Sequence, residues 1–254
     1  MYKISDITDF ERKGFKIEKF KPSKNYEKLK TILSNLKAGN LKNKDWRLEE
    51  KYRGTLDLRP DVNSYDNVFI DLLVENDISK KINFLTQRSL ELAHIQVRCS
   101  DLGESYMPWH KDTYSYNDHT SGLFPAPIKL IYYLPEESLT PETKLQIIEG
   151  SNKCQMSNLT KAYELSPGFD IFDRDVVLKN LNCVNFKNNE YDFLLFDTSC
   201  LHNVAKANTK SIRIIYTFCT EYQFINSFGS EKNKNRVNHI KTFNDFRLKN
   251  EKNN

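Results

Sequence analysis

Two short stretches about 90 residues apart hold the side chains in this chain best suited to chemistry. The first is Trp109-His110-Lys111-Asp112, and the second, Phe193 to Phe218, contains His202 and Arg213. Two imidazoles and one carboxylate can hold Fe(II) on one face and leave the opposite face open for substrate and oxygen. His110 and Asp112 stand at i and i+2, so in an extended segment they point the same way. On spacing alone the pattern is modest. With five His and 34 acidic residues in 254, one His-x-acid match arises by chance about half the time. A surface His beside an unrelated Asp reads the same. His202 follows an apolar run and precedes a turn, a position that also suits a hydrogen-bonded structural histidine. Arg213 is the further anomaly, because it interrupts the apolar segment Ile212-Arg213-Ile214-Ile215-Tyr216. Such a strand is buried on both faces, and a buried guanidinium needs a partner. Either an internal acid or a bound dicarboxylate, held by two parallel hydrogen bonds, would serve.

The surrounding pattern describes what must position these groups. Ile4 to Arg12 reads as a short helix, with Ser5 as its cap and Gly14 as its end. Phe15 to Phe20 alternates as a strand. Tyr26 to Leu36 has helical apolar spacing, and Val68 to Val74 and Ile78 to Arg88 follow suit. Leu90 to Arg98 alternates as a strand, with Leu90, Leu92, His94, Gln96 and Arg98 on one face. Tyr106 to Asp112 is extended, and 115–127 is a polar, turn-rich loop. Ile128 to Leu134 and Leu145 to Ile148 are strands. Tyr191 to Asp197 and Ile212 to Phe218 are strands with Lys206 to Lys210 as the polar turn between them. Asn238 to Lys249 reads as a helix. Helices followed by many short strands predict a mainly β barrel or sandwich with helical buttresses, and the mouth of such a barrel suits a small-molecule site.

Several pieces, in order, resemble the phytanoyl-CoA dioxygenase-like branch of the Fe(II)/2-oxoglutarate oxygenases. Phe10 to Ile17 looks like that family's opening helix–Gly–aromatic–strand element, and His110-Lys111-Asp112 like its HxD motif. Leu145 to Lys153 is similar to its Gly-Ser-His turn, with Asn152 where His is usual. Tyr191 to Phe196, His202, Asn208 and Arg213 resemble its C-terminal half, with the family's interval 213 − 202 = 11. The resemblance implies a double-stranded β-helix, a jelly-roll or cupin-like barrel. It implies that His110, Asp112 and His202 hold iron and that Arg213 pairs with the distal carboxylate of 2-oxoglutarate. It further implies that O2 is consumed, and that decarboxylation of the keto acid to succinate and CO2 accompanies oxidation of a small molecule. Halogenases of the family lack the carboxylate at Asp112, so its presence implies a hydroxylase, or a related desaturation or ring closure.

Lys129 is a second candidate for the co-substrate. It opens the strand Ile128 to Leu134 and shares a face with Ile131 and Tyr133. It meets an anion if that face lines the barrel, and sits at a solvated strand end otherwise. Arg98, Tyr106, Trp109 and Tyr114 bracket the metal motif as substrate candidates, with the 115–127 loop as a lid. Arg98 suits a carboxylate or phosphate, or else an internal pair with Asp101 or Glu104. Trp109 suits packing at least as well as substrate. Two other classes fit the same motifs: a cupin-type metalloenzyme needing no keto acid, and a non-catalytic binding barrel.

The expected organisation is a single oxygenase domain over 1–254, comprising a helical buttress (1–89), a jelly-roll core (90–220) and a basic tail (230–254). Net charge is +4. Residues 230–254 hold seven Lys or Arg and three acids, so the body is near neutral. No basic patch interleaved with aromatics argues for nucleic acid. No apolar run approaches a membrane span, and the N-terminus lacks a secretory apolar core. Five scattered cysteines without CxxC spacing fit a reducing compartment. The expected setting is therefore cytoplasmic, with no membrane and no nucleic-acid partner. The sequence leaves the oligomeric state open.

Overall fold

The computed structural model describes residues 3–52, 55–59, 62–100, 107–112, 126–135, 143–153, 161–163, 169–172, 182–187, 189–204 and 210–220. Tyr106, Tyr114, Asn208, most of the 115–127 loop, the 238–249 helix and the basic tail lie outside these residues.

Five helices are described, interleaved with the first three strands: α1 (Ile4–Lys13), α2 (Lys24–Lys37), α3 (Val62–Tyr65), α4 (Val68–Glu75) and α5 (Ile78–Thr86). The N-cap of α1 is Lys3 rather than Ser5, and the Asp6 carboxylate inside the first turn accepts from the Lys3 amide at 2.8 Å. A carboxylate in the first turn satisfies an otherwise orphaned donor there. Gly14 ends the helix with φ +78°, a left-handed conformation that costs glycine nothing. Ser23 caps α2 by accepting from the Tyr26 amide, and Tyr26, Leu29, Leu33 and Leu36 form its buried stripe.

Thirteen strands are described, and they fall into two antiparallel sheets. The larger has the order β1-β11-β6-β13-β4-β3-β2. Its members are β1 (Phe15–Lys19), β2 (Arg47–Tyr52), β3 (Thr55–Arg59), β4 (Glu91–Ser100), β6 (Ile128–Tyr133), β11 (Asp192–Asp197) and β13 (Ser211–Cys219). The smaller has the order β10-β7-β12-β5-β9-β8. It is made of β5 (Met107–Asp112), β7 (Thr143–Ile148), β8 (Lys161–Tyr163), β9 (Phe169–Phe172), β10 (Cys183–Lys187) and β12 (His202–Val204). This is a mainly β jelly-roll architecture with helical additions, as the sequence predicts. Among the described residues the two sheets stay separate rather than closing into one barrel.

Alternation along the central strands assigns the two faces of the larger sheet. Ile212, Ile214 and Tyr216 on β13, with Leu130 and Tyr132 on β6, pack toward the helices. Phe15, Ile131, Leu194, Phe196 and Ile215 face the smaller sheet and meet Leu145, Ile147 and Phe186 there. A strand flanked by apolar layers on both sides loses its polar alternation, and every residue of β13 is buried.

Three sequence expectations change. The strands at 191–197 and 212–218, expected in succession with a polar turn at Lys206 to Lys210, are not neighbours in the sheet, and 205–209 lie outside the described residues. β6 lies between them, and β12 leaves for the other sheet. The chain between them has to supply His202 to the facing layer, which a tight turn cannot do. Leu92 does not share the His94 face either. A bulge pairs Leu92 with Phe218 and His94 with Thr217, and the extra residue turns Leu92 into the helix-side core. Finally, beyond the strand expected at Phe15 to Phe20, residues 1–89 also supply β2 and β3 to the larger sheet. The hairpin β2–β3, with Thr55-Leu56-Asp57-Leu58-Arg59 alternating, escaped notice because β2 carries too many charges to register as a strand.

Candidate metal centre

The smaller sheet brings the three predicted ligands together. β5 pairs with β12 so that His110 lies directly across from His202, and directly opposed residues share a face. Asp112, two residues on, occupies the same face. One ligand atom from each of the three falls within 4.8 Å of the others. His110 Nε2 is 3.5 Å from Asp112 Oδ1, and His202 Nε2 is 3.9 Å from Asp112 Oδ2. The imidazole centroids are 4.2 Å apart. All three residues are buried.

The backbone around the triad fixes these positions. The Cys200 carbonyl lies 2.8 Å from His202 Nδ1. Nδ1 is therefore the protonated nitrogen, and Nε2 keeps its lone pair toward Asp112. The edge of Phe196 closes on the His202 ring at 4.9 Å. Ser151 Oγ accepts from the Leu201 amide at 2.8 Å, which ties the 148–153 turn to the residue before His202. Thr198 accepts the Asp112 amide at 3.0 Å through its carbonyl and donates its hydroxyl to the Pro127 carbonyl at 2.8 Å. That chain of contacts joins β5 to the start of β6. Gly14 allows close approach from the other side, since a Cβ there would stand 2.1 Å from Cys200 Sγ. Sequence reading missed Ser151, Thr198 and Phe196 as supporting groups. Only Ser151 carried a signal, in the turn that resembles Gly-Ser-His.

Electrostatically the site is poised for a cation. Burial alone would raise the Asp112 carboxyl, but the Lys129 ammonium and the two imidazoles hold it far below the usual carboxylate range. Lys129 donates directly to Asp112 Oδ2. Burial, and then the neighbouring His110, push His202 down to about 3, so its Nε2 is an unprotonated donor at neutral pH. Asp112 Oδ1 is buried without a hydrogen-bond partner among the described residues. Two imidazole nitrogens and an ionised carboxylate with an unused oxygen fit a divalent iron-type ion. The orphaned oxygen is the observation that favours an ion, because an unsatisfied buried carboxylate oxygen is otherwise costly.

Arg213 lies on the larger sheet, with its side chain 3% exposed as a residue. It donates through Nη1 to Ser100 Oγ at 3.0 Å, and its Cζ stands 5.7 Å from the Tyr133 ring centroid. Burial lowers its proton affinity, Tyr133 opposes that, and Arg98 adds to it. No acid is hydrogen-bonded to it among the described residues. Lys129 shares the Arg213 face, as register pairs Lys129 with Thr217 and Tyr133 with Arg213. Arg98 faces the same interior and is engaged by Asp57, an acid not anticipated; Asp101 and Glu104 lie outside the described residues. Its Nε and Nη2 donate to the two Asp57 oxygens at 2.8 and 3.3 Å. Trp109 alternates to the opposite face from His110 and is buried, away from the triad face.

Comparison with known proteins is consistent with this architecture. No family model matches the chain, and no curated protein matches it by sequence. Solved structures do share its fold. The epimerase SnoN in complex with Fe3+, alpha-ketoglutarate and nogalamycin RO superposes with a TM-score of 0.61 at 11% identity, covering 85% of this chain and 82% of that one. EctD from S. alaskensis with 2-oxoglutarate and 5-hydroxyectoine gives 0.60 at 14% identity, covering 87% and 77%. HygX from Streptomyces hygroscopicus with nickel, 2-oxoglutarate and hygromycin B gives 0.57 at 12% identity, covering 87% and 88%. The fold is therefore the jelly roll of these proteins. Among the described residues no helix is long and apolar enough to cross a membrane.

Proposed function

We propose that this protein is a non-haem Fe(II)- and 2-oxoglutarate-dependent oxygenase of a small molecule, of the phytanoyl-CoA dioxygenase-like kind. The observation that carries the reading is the buried His110–Asp112–His202 cluster, whose Asp112 Oδ1 has no hydrogen-bond partner among the described residues, facing a sheet that presents a buried guanidinium with no bonded acid among those residues. His110 Nε2, an Asp112 oxygen and His202 Nε2 hold the metal. Arg213 pairs with the distal carboxylate of the keto acid. Lys129, bonded to Asp112, stands as a second cation beside the metal for the keto acid. When bound, Fe(II) with the keto acid and O2 supplies an oxidant, and succinate and CO2 are released.

The chain's own residues do the positioning. Cys200 holds His202 in the ligating tautomer, Phe196 and Ile147 exclude water from behind the imidazoles, and Arg213 sets the keto acid's orientation. Hydroxylation is the outcome we favour, because Asp112 fills the position that a halide would need. SnoN is an epimerase, so epimerisation is a neighbouring outcome on the same fold. Tyr106 and Tyr114 remain substrate candidates, in a cytoplasmic setting. The test is succinate release from 2-oxoglutarate under Fe(II), ascorbate and air, compared with His110→Ala. Release in the wild type and none in the variant is expected. Equal release from both would overturn the site.

A further inference from the structure

The larger sheet carries a polar row that the metal site does not explain. Register aligns Asp57 on β3 with Arg98 on β4, Arg98 with Arg213 on β13, and Arg213 with Tyr133 on β6. Directly opposed residues share a face with Cβ atoms about 4.5–5.5 Å apart, so the two guanidiniums are neighbours on the interior side. Like charges so placed repel, and Arg98 indeed disfavours the charged form of Arg213 while Asp57 favours it. Asp57, 2% exposed, takes two hydrogen bonds from Arg98. Arg59 reaches the same carboxylate from the more exposed rim at 3.8 Å. One buried acid thus serves three guanidiniums.

Unspent donors point the same way. A guanidinium has five N–H groups. Among the described residues Asp57 takes two of Arg98's, leaving 5 − 2 = 3. Ser100 takes one of Arg213's, leaving 5 − 1 = 4. The Tyr133 hydroxyl is buried with no hydrogen-bond partner among the described residues. A row with excess positive charge, unspent donors and an orphaned phenol is built for an anion with planar, two-oxygen geometry.

We propose that Arg98 is a second carboxylate-binding guanidinium beside Arg213, and that Asp57 is the positioning residue that holds it there. This rests on the proposed function. The distal carboxylate of the 2-oxo dicarboxylate lies between the two guanidiniums and accepts from the Tyr133 hydroxyl. Asp57 fixes the Arg98 side chain in advance and offsets its repulsion of Arg213, so that ordering is not charged against binding. A carboxylate on the primary substrate would have the same chemistry, so the test separates the two sources.

Glutarate carries both carboxylates of the co-substrate without the metal-chelating keto group. Calorimetric titration of glutarate into the metal-free full-length protein, with no primary substrate present, isolates the cradle. Arg98→Met is expected to weaken glutarate about tenfold or more, because a charge-assisted pair is lost. Asp57→Asn is expected to weaken it several-fold, with partial recovery in Asp57→Glu. In turnover, Arg98→Met raises KM for 2-oxoglutarate and leaves kcat within about twofold, the mark of a contact made equally in ground and transition states. Folding is followed by Co(II) absorption at the triad, which uses none of these residues. If a single variant fails to fold, the double change Asp57→Leu with Arg98→Met removes both charges together, and it too should lose glutarate. Unchanged glutarate affinity in Arg98→Met, with affinity lost in Arg213→Met, overturns this proposal alone, and a raised KM for the primary substrate would then assign Arg98 to that molecule. Equal glutarate affinity in wild type and Arg213→Met brings down the proposed function as well.

Discussion

Replacing Arg213 with Met separates a guanidinium kept for a ligand from one kept for the fold. Among the described residues Arg213 makes one hydrogen bond, to Ser100 at 3.0 Å, and burial disfavours its charge. Truncating a member of a well-made buried ion pair costs about 3–5 kcal/mol. In a chain of this size that is a fall in Tm of about 10 °C. Among the described residues Arg213 is not in such a pair. Met keeps most of the volume, removes a buried charge that burial disfavours and forfeits one bond to a hydroxyl. The two effects offset, so the Tm of the ligand-free variant should stay within about 4 °C of wild type or rise. Ligand binding should fall steeply. Two parallel charge-assisted hydrogen bonds contribute about 1.5–3 kcal/mol each. Allowing for non-additivity and for whatever the neighbouring Arg98 retains, a loss of about 3 kcal/mol is on the order of a hundredfold in 2-oxoglutarate affinity. Differential scanning fluorimetry with anaerobic Co(II), with and without 2-oxoglutarate, reads both quantities at once. The wild type should gain Tm with the keto acid and the variant should not. A variant that melts 10 °C lower, or one that keeps the full keto-acid shift, would refute the reasoning.

Lys129→Met removes a cation bonded to Asp112. It should tighten metal binding about tenfold, by relieving repulsion of the divalent ion, while weakening 2-oxoglutarate. Both are measurable by Co(II) titration and by KM. Gly14→Ala places a Cβ 2.1 Å from Cys200 Sγ at φ +78° and should destabilise by about 2–4 kcal/mol. Adding Cys200→Ala should restore a substantial part of that, and additive losses in a double-mutant cycle would contradict the contact. His202 is held neutral down to about 3, against about 6.5 when unfolded. Between those values the unfolded chain binds more protons, so the metal-free protein should lose stability as pH falls from about 6.5 toward 3. Asp112, whose folded pKa is depressed, extends the loss below about 4. Denaturation midpoints that stay flat from pH 6.5 to 4 would contradict the burial of His202.

The ligand triad was legible because chelation imposes local rules. A strand end that offers two donors must place them at i and i+2, and His110 and Asp112 obey. Arg213 was visible because a charge inside an apolar strand conflicts with its neighbours. What stayed hidden depends on long-range register. Asp57 looks like an ordinary strand acid until β3 joins the edge of β4 and sets it opposite Arg98. Thr198 and Cys200 act through backbone carbonyls, which any residue type supplies, so no pattern announces them. The separation of 191–197 from 212–218 by β6 stayed hidden for a related reason. Turn chemistry says where a chain reverses, but not that His202 must first be delivered to the opposite sheet. Leu92 was misplaced because a bulge shifts the alternation by one residue, and nothing in Leu90 to Arg98 marks it.

The most direct test is anaerobic titration of the purified protein with Fe(II) and then 2-oxoglutarate, followed by the weak visible charge-transfer absorption of the chelate. A band that requires both ligands, and that is lost in His110→Ala and Arg213→Met, is the predicted result. A well-folded protein that binds Fe(II) but develops no band with saturating 2-oxoglutarate would contradict the assignment.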